Sequence, residues 1–248
     1  MLRMRRSVSA RLLLCSLFGT LVFIPVAPLV ARQASNPSGS HVSLTGAASQ
    51  AKSEAGFVPL FDGQTLDGWT TVDKHGDGYG VKAGMIYCAK GGGGKLMTER
   101  EYSDFVLRFE FRMPKEGSNN GVGIRAPLEG DAAYVGMEIQ ILDEAAALSG
   151  KWGQLRDAQY HGSIYDVVPA KRGAMKPAGE WNREEIVARG RQITVTLNDK
   201  VIVDANLDDV KDPEKLAKHP GLQRTRGHIG FLGHNDYIEF RNIRIKEL

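Results

Sequence analysis

The stretch FVLRFEFRM, residues 105–113, decides the fold. Every odd position in it is apolar, from Phe105 to Met113, whereas positions 108, 110 and 112 are charged. Successive side chains of a strand point to opposite faces, so an apolar pattern of period two is typical of a half-buried strand. We therefore predict a strand with one face in a core and the other toward solvent or a cleft.

The same reasoning predicts further short strands. They cover residues 122–125, 135–142, 185–189, 192–197, 200–203, 228–232 and 237–245. Asn198-Asp199 joins two of them in a tight hairpin. The helix candidates are Asp212–Lys218, in which Pro213 suits the first helical position, and a single turn at Glu144–Leu148. Many short strands with few helices between them predict an all-β, antiparallel jelly-roll sandwich.

The first 31 residues have the composition of an export signal. Four positive charges, at Arg3, Arg5, Arg6 and Arg11, precede an apolar stretch that extends to about Val30. The small residues around Ala31 favour cleavage, although an uncleaved membrane anchor is the alternative because the apolar run is nearly long enough to span a bilayer. We expect an exported protein, periplasmic or extracellular, with no membrane span after cleavage.

Residues 32–55 and 56–248 differ sharply in composition. Ser, Ala, Gly and Gln dominate residues 32–55, which predicts a disordered linker. Aromatic residues begin at Phe57 and Phe61, so residues 56–248 are expected to form one folded domain. The net charge of +3 comes from the arginines of the signal. The domain itself is close to neutral and carries no basic stripe, which argues against a nucleic-acid partner.

The strand at residues 137–142 carries the candidate site. Its apolar residues point one way, whereas Glu138 and Gln140 point the other way, separated by ~7 Å. Glu and Gln are poor strand formers, so a carboxylate beside an amide here favours a sugar-binding cleft, in which hydroxyl groups need donors and acceptors. A solvated outer face with incidental polar residues is the other interpretation.

Two histidines in loops are candidate partners of this strand. His161 lies with Tyr165 and Trp181 in the long irregular region 144–181, and His234 lies in the turn before the last strand. Each also has a structural interpretation, as a hydrogen-bonding loop histidine or as an aromatic residue packed at the edge of the core. No cofactor is certain from the residues, and a divalent metal ion is the one candidate.

Two earlier segments lack the pattern of the sites that they superficially suggest. Gly91–Gly94 has neither the Lys-Ser/Thr ending nor the following helix of a phosphate loop, so we predict a flexible turn. Asp73–Gly78 is acidic and rich in glycine, but it lacks the ligand register of a calcium loop. We therefore predict neither a phosphate loop nor a calcium loop.

Several motifs in a fixed order point to one family. The segment FVPLFDGQTLDGW, residues 57–69, and the segment EIQILD, residues 138–143, weigh most. Further motifs lie at 96–98, 102–105, 110–112, 118–122 with Arg125, 163–165, 179–182 and 240–243. Together they resemble the 3-keto-disaccharide hydrolase family, whose fold is the concanavalin A-like lectin/glucanase sandwich. Asn120 departs from the serine that is common in the family at that turn.

The resemblance implies an exported enzyme that acts on glycosides oxidised at C3 of a sugar ring. A C3 ketone acidifies the C2 hydrogen, so a base can remove it and the C1 leaving group can depart. Addition of water to the unsaturated product then completes a net hydrolysis. This route needs a general base and a group that stabilises the enolate oxygen, rather than the two carboxylates of an ordinary glycosidase.

The resemblance and the polar strand together suggest roles for the candidate residues. Glu138 is the expected base or metal ligand, His234 its partner in either role, and His161 a further catalytic residue. The candidate substrate-binding residues are Gln140, Arg125, Glu110, Asn119, Tyr165 and Trp181, with Glu110 expected on the strand next to Glu138. The alternatives are a non-catalytic, lectin-like carbohydrate-binding module and a two-carboxylate glucanase, for which Asp143 is the nearby second acid. The residues make no prediction of oligomeric state.

Overall fold

A computed structural model describes residues 54–248. The export signal predicted over residues 1–31 lies outside this range, and so does the linker predicted over 32–55, apart from its last two residues. Between residues 54 and 248 no helix is long and apolar enough to cross a membrane.

In this part of the chain, thirteen strands and three short α-helices are present. The strands before the turn at residue 130 are β1 (Val58–Pro59), β2 (Trp69–His75), β3 (Tyr79–Lys82), β4 (Met85–Cys88), β5 (Gly93–Thr98), β6 (Phe105–Arg112) and β7 (Asn119–Ala126). The later strands are β8 (Met137–Leu142), β9 (Asn182–Arg189), β10 (Gln192–Leu197), β11 (Lys200–Asn206), β12 (His228–His234) and β13 (Ile238–Glu247). The helices are α1 (Ala132–Val135), α2 (Glu144–Leu148) and α3 (Pro213–Lys218).

The strands of residues 54–248 form two antiparallel sheets. The larger sheet has the order β11-β10-β9-β6-β13-β4-β3, with β1 paired to β13, and the smaller sheet has the order β2-β5-β12-β7-β8. Their inner faces pack on each other and enclose the core. The predicted all-β, antiparallel sandwich is confirmed.

The stretch at residues 105–113 forms β6, in the middle of the larger sheet. Its odd residues are buried and its even residues are half-buried, as the alternation predicts. Phe109 of this strand meets Phe231 of the smaller sheet edge-on, with 5.9 Å between ring centroids. Phe231 also stacks on Phe240 of the larger sheet at 3.9 Å. These aromatic contacts bury large apolar surfaces and join the two sheets.

The predicted hairpin and both predicted helices are present. Asn198 and Asp199 have φ angles of 48° and 68°, the left-handed conformation that a two-residue hairpin of this type requires. Asp212 caps α3 by accepting hydrogen bonds from the next N–H groups, and Pro213 is the first helical residue. Asp143 caps α2 in the same way.

The glycine run Gly91–Gly94 is not a flexible turn, because its second half begins β5. A Cβ atom on Gly94 would lie 2.7 Å from the carbonyl oxygens of Val72 and Asp73, and the residue has a φ of 94°. The close approach of β2 therefore reserves this strand position for glycine. Local alternation does not reveal such a strand.

Residues 161–165, from the long irregular region, cover the free edge of β8. Ile164 forms an antiparallel bridge with Ile139, and the Tyr165 N–H donates to the Glu138 carbonyl at 2.9 Å. Directly opposed residues of antiparallel strands share a face, so Tyr165 stands on the same side as Glu138.

Candidate active site

Strand β8 places Glu138 and Gln140 on the outer face of the smaller sheet, because its apolar residues enter the core. Both polar residues are nevertheless buried, with 4% and 5% of their surface exposed. This face is therefore no ordinary solvated surface.

A glycine makes room for the carboxylate of Glu138. A Cβ atom on Gly121 of β7 would overlap Oε1 of Glu138 and lie 2.6 Å from its Cδ atom. Since β7 lies between β8 and β12 in the sheet, the side chain crosses β7 at this glycine and points to β12. Its Oε1 atom ends 3.7 Å from Nε2 of His234, the last residue of β12.

The contact between these two side chains affects the protonation of the histidine. The Glu138 carboxylate raises the pKa of His234 above its ordinary value, against the opposing effect of partial burial. Asp131 and Asp236 act in the same direction at longer range. The imidazole therefore holds its proton more tightly than a free histidine and pairs with the carboxylate.

Glu138 and His234 line one cavity of about 360 Å³. This volume falls in the range of small-molecule sites. The other lining residues are Asp73, His75, Gly94, Lys95, Gly130, Asp131, Ala132, Leu232 and Gly233.

Three buried oxygen atoms on this face have no hydrogen-bond partner among residues 54–248: Oε1 of Glu138, Oε1 of Gln140 and Oδ1 of Asn119. Gly121 is paired with Gln140, and Asn119 lies two residues before Gly121 on β7, so all three residues share a face. A buried acceptor without a partner costs about 1–3 kcal/mol. Of the three residues only Glu138 lines the cavity, and Gln140 and Asn119 continue the row beside it on the same face. The row is therefore suited to a ligand that supplies several donors, such as the hydroxyl groups of a sugar.

The sequence pattern did not point to the opposite wall of the cavity. The Lys95 ammonium donates to the carbonyl oxygens of Leu128 and Gly130, at 2.9 and 2.8 Å. It also pairs with the carboxylate of Asp73 at 2.7 Å. Its three N–H groups are thus engaged, and they hold the loop around residue 130 as a cavity wall. A lysine directly before the apolar Leu96 in a buried strand is the signal that could have found it.

His75 also lines this cavity, although it belongs to the segment Asp73–Gly78 that lacks a calcium-loop pattern. Its Nε2 atom lies 3.1 Å from Oδ1 of Asn235, the residue after His234. The two residues are 160 positions apart in the chain, so no local pattern could have joined them.

A family model described as a 3-keto-alpha-glucoside-1,2-lyase-like domain matches residues 56–246. The chain belongs to this family. A 3-keto-disaccharide hydrolase from Bacteroides thetaiotaomicron is 27% identical over 230 residues, which cover 78% of this chain and 79% of the relative.

Solved structures agree with the family match. A candidate glycosyl hydrolase from Parabacteroides distasonis ATCC 8503 is 28% identical, with a TM-score of 0.66 over 77% of this chain and 99% of its own. A second such protein from the same strain is 23% identical, with a TM-score of 0.64 over 78% and 94%, and shows the shared fold. Together with the family, these matches support a carbohydrate-acting hydrolase.

In this member of the family, His161 does not reach the cavity with Glu138. Its ring packs on Phe111, with 5.3 Å between centroids, and Nδ1 accepts the N–H of Leu142 at 3.3 Å. Its Nε2 atom lies 3.4 Å from the carboxylate of Glu184, and both side chains are almost fully buried. The expected catalytic role of His161 is therefore corrected to a contact inside the sandwich.

Arg125 is also placed away from the cavity. Its guanidinium donates to the carbonyl oxygens of Ser103 and Gly190 and pairs with Asp104 at 2.9 Å. The side chain has no exposed surface. Arg125 therefore connects two loops through its hydrogen bonds, and the expected contact with a substrate was wrong.

Glu110 and Trp181 lie on the other side of the sandwich. Glu110 is not on the strand next to Glu138, because β6 belongs to the larger sheet, where the carboxylate pairs with Arg241 at 2.6 Å. The ring of Trp181 lies 3.9 Å from the guanidinium of Arg241 and 4.7 Å from that of Arg112. Neither residue therefore makes the expected contact with a substrate in the cavity of Glu138. Both belong to a charged network on the outer face of the larger sheet.

Tyr165 stays beside the candidate site, on the segment that borders β8. Its hydroxyl accepts a hydrogen bond from the side chain of Gln159 at 3.1 Å. Burial raises the pKa of Tyr165, so the phenol keeps its proton and can donate it in a hydrogen bond.

The expected metal site is incomplete in the part of the chain that the structure describes. Residues 54–248 contain no group of three or more His, Cys, Asp or Glu side chains arranged to hold a metal ion. Glu138 and His234 alone fall short of the three protein ligands of a typical catalytic zinc site. The described residues therefore do not fit a resident catalytic metal ion.

Proposed function

We propose that the protein is an exported enzyme that cleaves 3-keto-glycosides by abstraction of the C2 proton, elimination at C1 and hydration. The observation that carries the proposal is the carboxylate of Glu138, which crosses Gly121 and meets His234 at 3.7 Å in an open cavity. The name of the relative from Bacteroides thetaiotaomicron supports the class of substrate.

We assign Glu138 the role of general base. Its Oε1 atom accepts no hydrogen bond from residues 54–248, so a lone pair is free to take the C2 proton. The C3 ketone stabilises the carbanion that results, and this is why a single carboxylate suffices. An ordinary glycosidase needs a second carboxyl group beside the first.

We assign His234 the stabilisation of the enolate oxygen. The raised pKa of His234 favours an imidazolium, whose N–H groups both donate. Negative charge develops on the oxygen at C3 when the base removes the C2 proton, and a hydrogen-bond donor beside the base stabilises this charge. Stabilisation of this kind often dominates catalysis. Nε2 thus serves the same substrate that Glu138 deprotonates.

The row of buried acceptors provides the contacts that hold the sugar. Gln140 and Asn119 offer one oxygen each for sugar hydroxyl groups, and Tyr165 adds a hydroxyl on the neighbouring segment. A sugar without hydroxyl groups at the matching positions leaves these acceptors buried and unpaired. The row therefore also favours substrates that have hydroxyl groups at those positions.

The test is Glu138→Gln, assayed on a 3-keto-disaccharide and on the same disaccharide without the ketone. The amide cannot accept the C2 proton, so release of monosaccharide should fall by about 10²- to 10⁴-fold, the usual contribution of a general base. Glu110→Gln is the matched control, because that carboxylate lies on the other sheet, and it should cleave at the wild-type rate.

Three results would contradict the proposal. The variant Glu138→Gln could turn over at the wild-type rate, or the unoxidised disaccharide could be cleaved as fast as the keto sugar. Binding of the keto sugar without release of monosaccharide would instead indicate a lectin-like module. Export is tested separately, by sequencing the N-terminus of the protein recovered outside the cytoplasm.

A further inference from the structure

Two histidines flank one glycine in the smaller sheet. His75 on β2 pairs with Gly93 on β5, and His234 on β12 pairs with the same glycine from the other side. Directly opposed residues share a face of the sheet, so both imidazoles stand on the face that carries Glu138. The absence of a side chain at Gly93 makes room for the ring of His75.

The ring of His75 is held over this glycine. A Cβ atom on Gly93 would lie 2.8 Å from both Cε1 and Nε2 of His75. Nε2 lies 3.1 Å from Oδ1 of Asn235. Nδ1 lies 3.5 Å from the carbonyl oxygen of Asp73. Both oxygen atoms only accept hydrogen bonds, so each ring nitrogen is placed to donate one. Buried Lys95 is held by an ion pair and two carbonyl groups. The exposed His75, in contrast, gives its Nε2 proton only to a neutral amide, which a ligand oxygen can replace as the acceptor at the cavity wall across from the base.

We propose that His75 is the proton donor to the leaving-group oxygen in the elimination, an inference that rests on the function proposed above. An alcohol is a poor leaving group when it departs as an alkoxide, so the reaction gains from an acid near the oxygen on C1. His234 lies against Glu138, and Lys95 uses its three N–H groups on the protein. His75 is the remaining lining histidine of the cavity in residues 54–248.

The proton count closes over the whole reaction. Glu138 takes the C2 proton, and the C2–H electron pair becomes the second bond between C1 and C2. The C1–O electron pair leaves with the oxygen, which takes the Nε2 proton of the His75 imidazolium and departs as an alcohol, leaving a neutral ring with its proton on Nδ1. In the hydration, the oxygen of a water molecule bonds to C1, keeps one proton and gives the other to Nε2, while the second C1–C2 electron pair takes the proton of Glu138 at C2. Both side chains are restored.

The test compares two leaving groups on wild-type protein and His75→Gln. A 3-keto-disaccharide releases an alcohol that needs a proton, whereas 4-nitrophenyl 3-keto-glucoside releases a phenolate that needs none. In the variant, kcat should fall by about 100-fold or more on the disaccharide, and by less than about fivefold on the nitrophenyl glycoside. Lys74→Gln, at the exposed neighbouring position, should stay within about twofold of wild type on both substrates.

The pattern of loss separates the outcomes. Equal loss on both substrates, or unchanged turnover of the disaccharide, overturns the role of His75 while leaving the proposed function intact. If wild-type protein cleaves neither keto sugar, the proposed function itself fails. His75→Asn provides a second variant with the same expected pattern, and melting temperatures within a degree or so of wild type, as is usual for exposed sites, would show that both variants are folded.

Discussion

The outer faces of the two sheets carry similar polar residues, but these differ in whether the protein itself supplies their hydrogen-bonding partners. On the larger sheet, guanidinium and carboxylate groups pair with each other, as in Arg241–Glu110 and Arg112–Glu239, both at 2.6 Å. Trp181 lies between two of these guanidinium groups. On the smaller sheet, Glu138 and its neighbours keep acceptor atoms that the described protein does not use.

Cavity volume does not separate the two faces. The larger sheet also borders a cavity, of about 490 Å³, lined by Arg108, Glu110 and Arg244 among others. The carboxylate of Glu184, also in its lining, has no hydrogen-bond partner among residues 54–248, but it is buried against His161 inside the sandwich. The outward charges pair with one another, and a ligand would have to break those pairs in order to bind. The smaller sheet offers bonds that are still unmade, so unmet hydrogen bonding in a cavity is the better sign of a site than outward polarity alone.

Among substitutions outside the proposed catalytic residues, the largest effect should come from closing the gap that Glu138 crosses. Gly121→Ala would place a methyl group on the path of the carboxylate, and displacing a catalytic group by about 1 Å can cost about 100-fold in rate. Gly123→Ala is the matched control on the same strand, since its Cβ atom would meet Leu232 at an ordinary 3.4 Å. Turnover of a 3-keto-disaccharide measures both variants. Equal activity of the two would show that the path over Gly121 does not matter.

A smaller effect should distinguish the acceptors on the two faces. Gln140→Met removes one buried oxygen that has no protein partner and a long, 3.5 Å hydrogen bond from the amide to the Gln159 carbonyl. We expect KM to rise by about tenfold, the equivalent of one lost hydrogen bond, with a melting temperature close to that of wild type, because the lost bond and the relieved burial of the oxygen offset each other. Glu110→Gln weakens the pair with Arg241, so it should cost up to about 1 kcal/mol of unfolding free energy and leave KM unchanged. If KM rises with Glu110→Gln and not with Gln140→Met, the assignment of the faces is reversed.

Local pattern was sufficient for the strands that alternate. Strands β6 and β8 were predicted because their apolar residues recur with period two, a property of a few adjacent residues. Strand β5 was not predicted because its glycines are set by the approach of β2, which local sequence does not encode. The resemblance to the family, in contrast, depends on motifs spread over the domain, and the family match over residues 56–246 confirms it.

The candidate site could be predicted only in part, because sheet topology decides which polar residues meet. Glu110 and Glu138 are both outward carboxylates on alternating strands, and nothing in their local pattern assigns them to different sheets. The sequence also does not show which polar side chains are buried. Arg125 and His161 resemble ligand-binding residues until their partners inside the protein are known. His75 was missed because its neighbour Asn235 is distant in the chain.

The smallest effect concerns the pH dependence of the pair that defines the smaller face. Because the folded-state pKa of His234 is raised, its pairing with Glu138 stabilises the protein below the histidine's ordinary pKa of 6.5, and this contribution is lost as the pH rises through the folded-state pKa. The imidazole is 46% exposed, so the contribution should not exceed that of a surface ion pair, about 0.2–1 kcal/mol. Urea unfolding at pH 6 and pH 9 measures it as the difference between wild type and His234→Gln. A pH-independent difference would mean that the imidazole and the carboxylate do not interact in the folded protein, and Glu138 would then lack the partner that sets its face apart from that of Glu110.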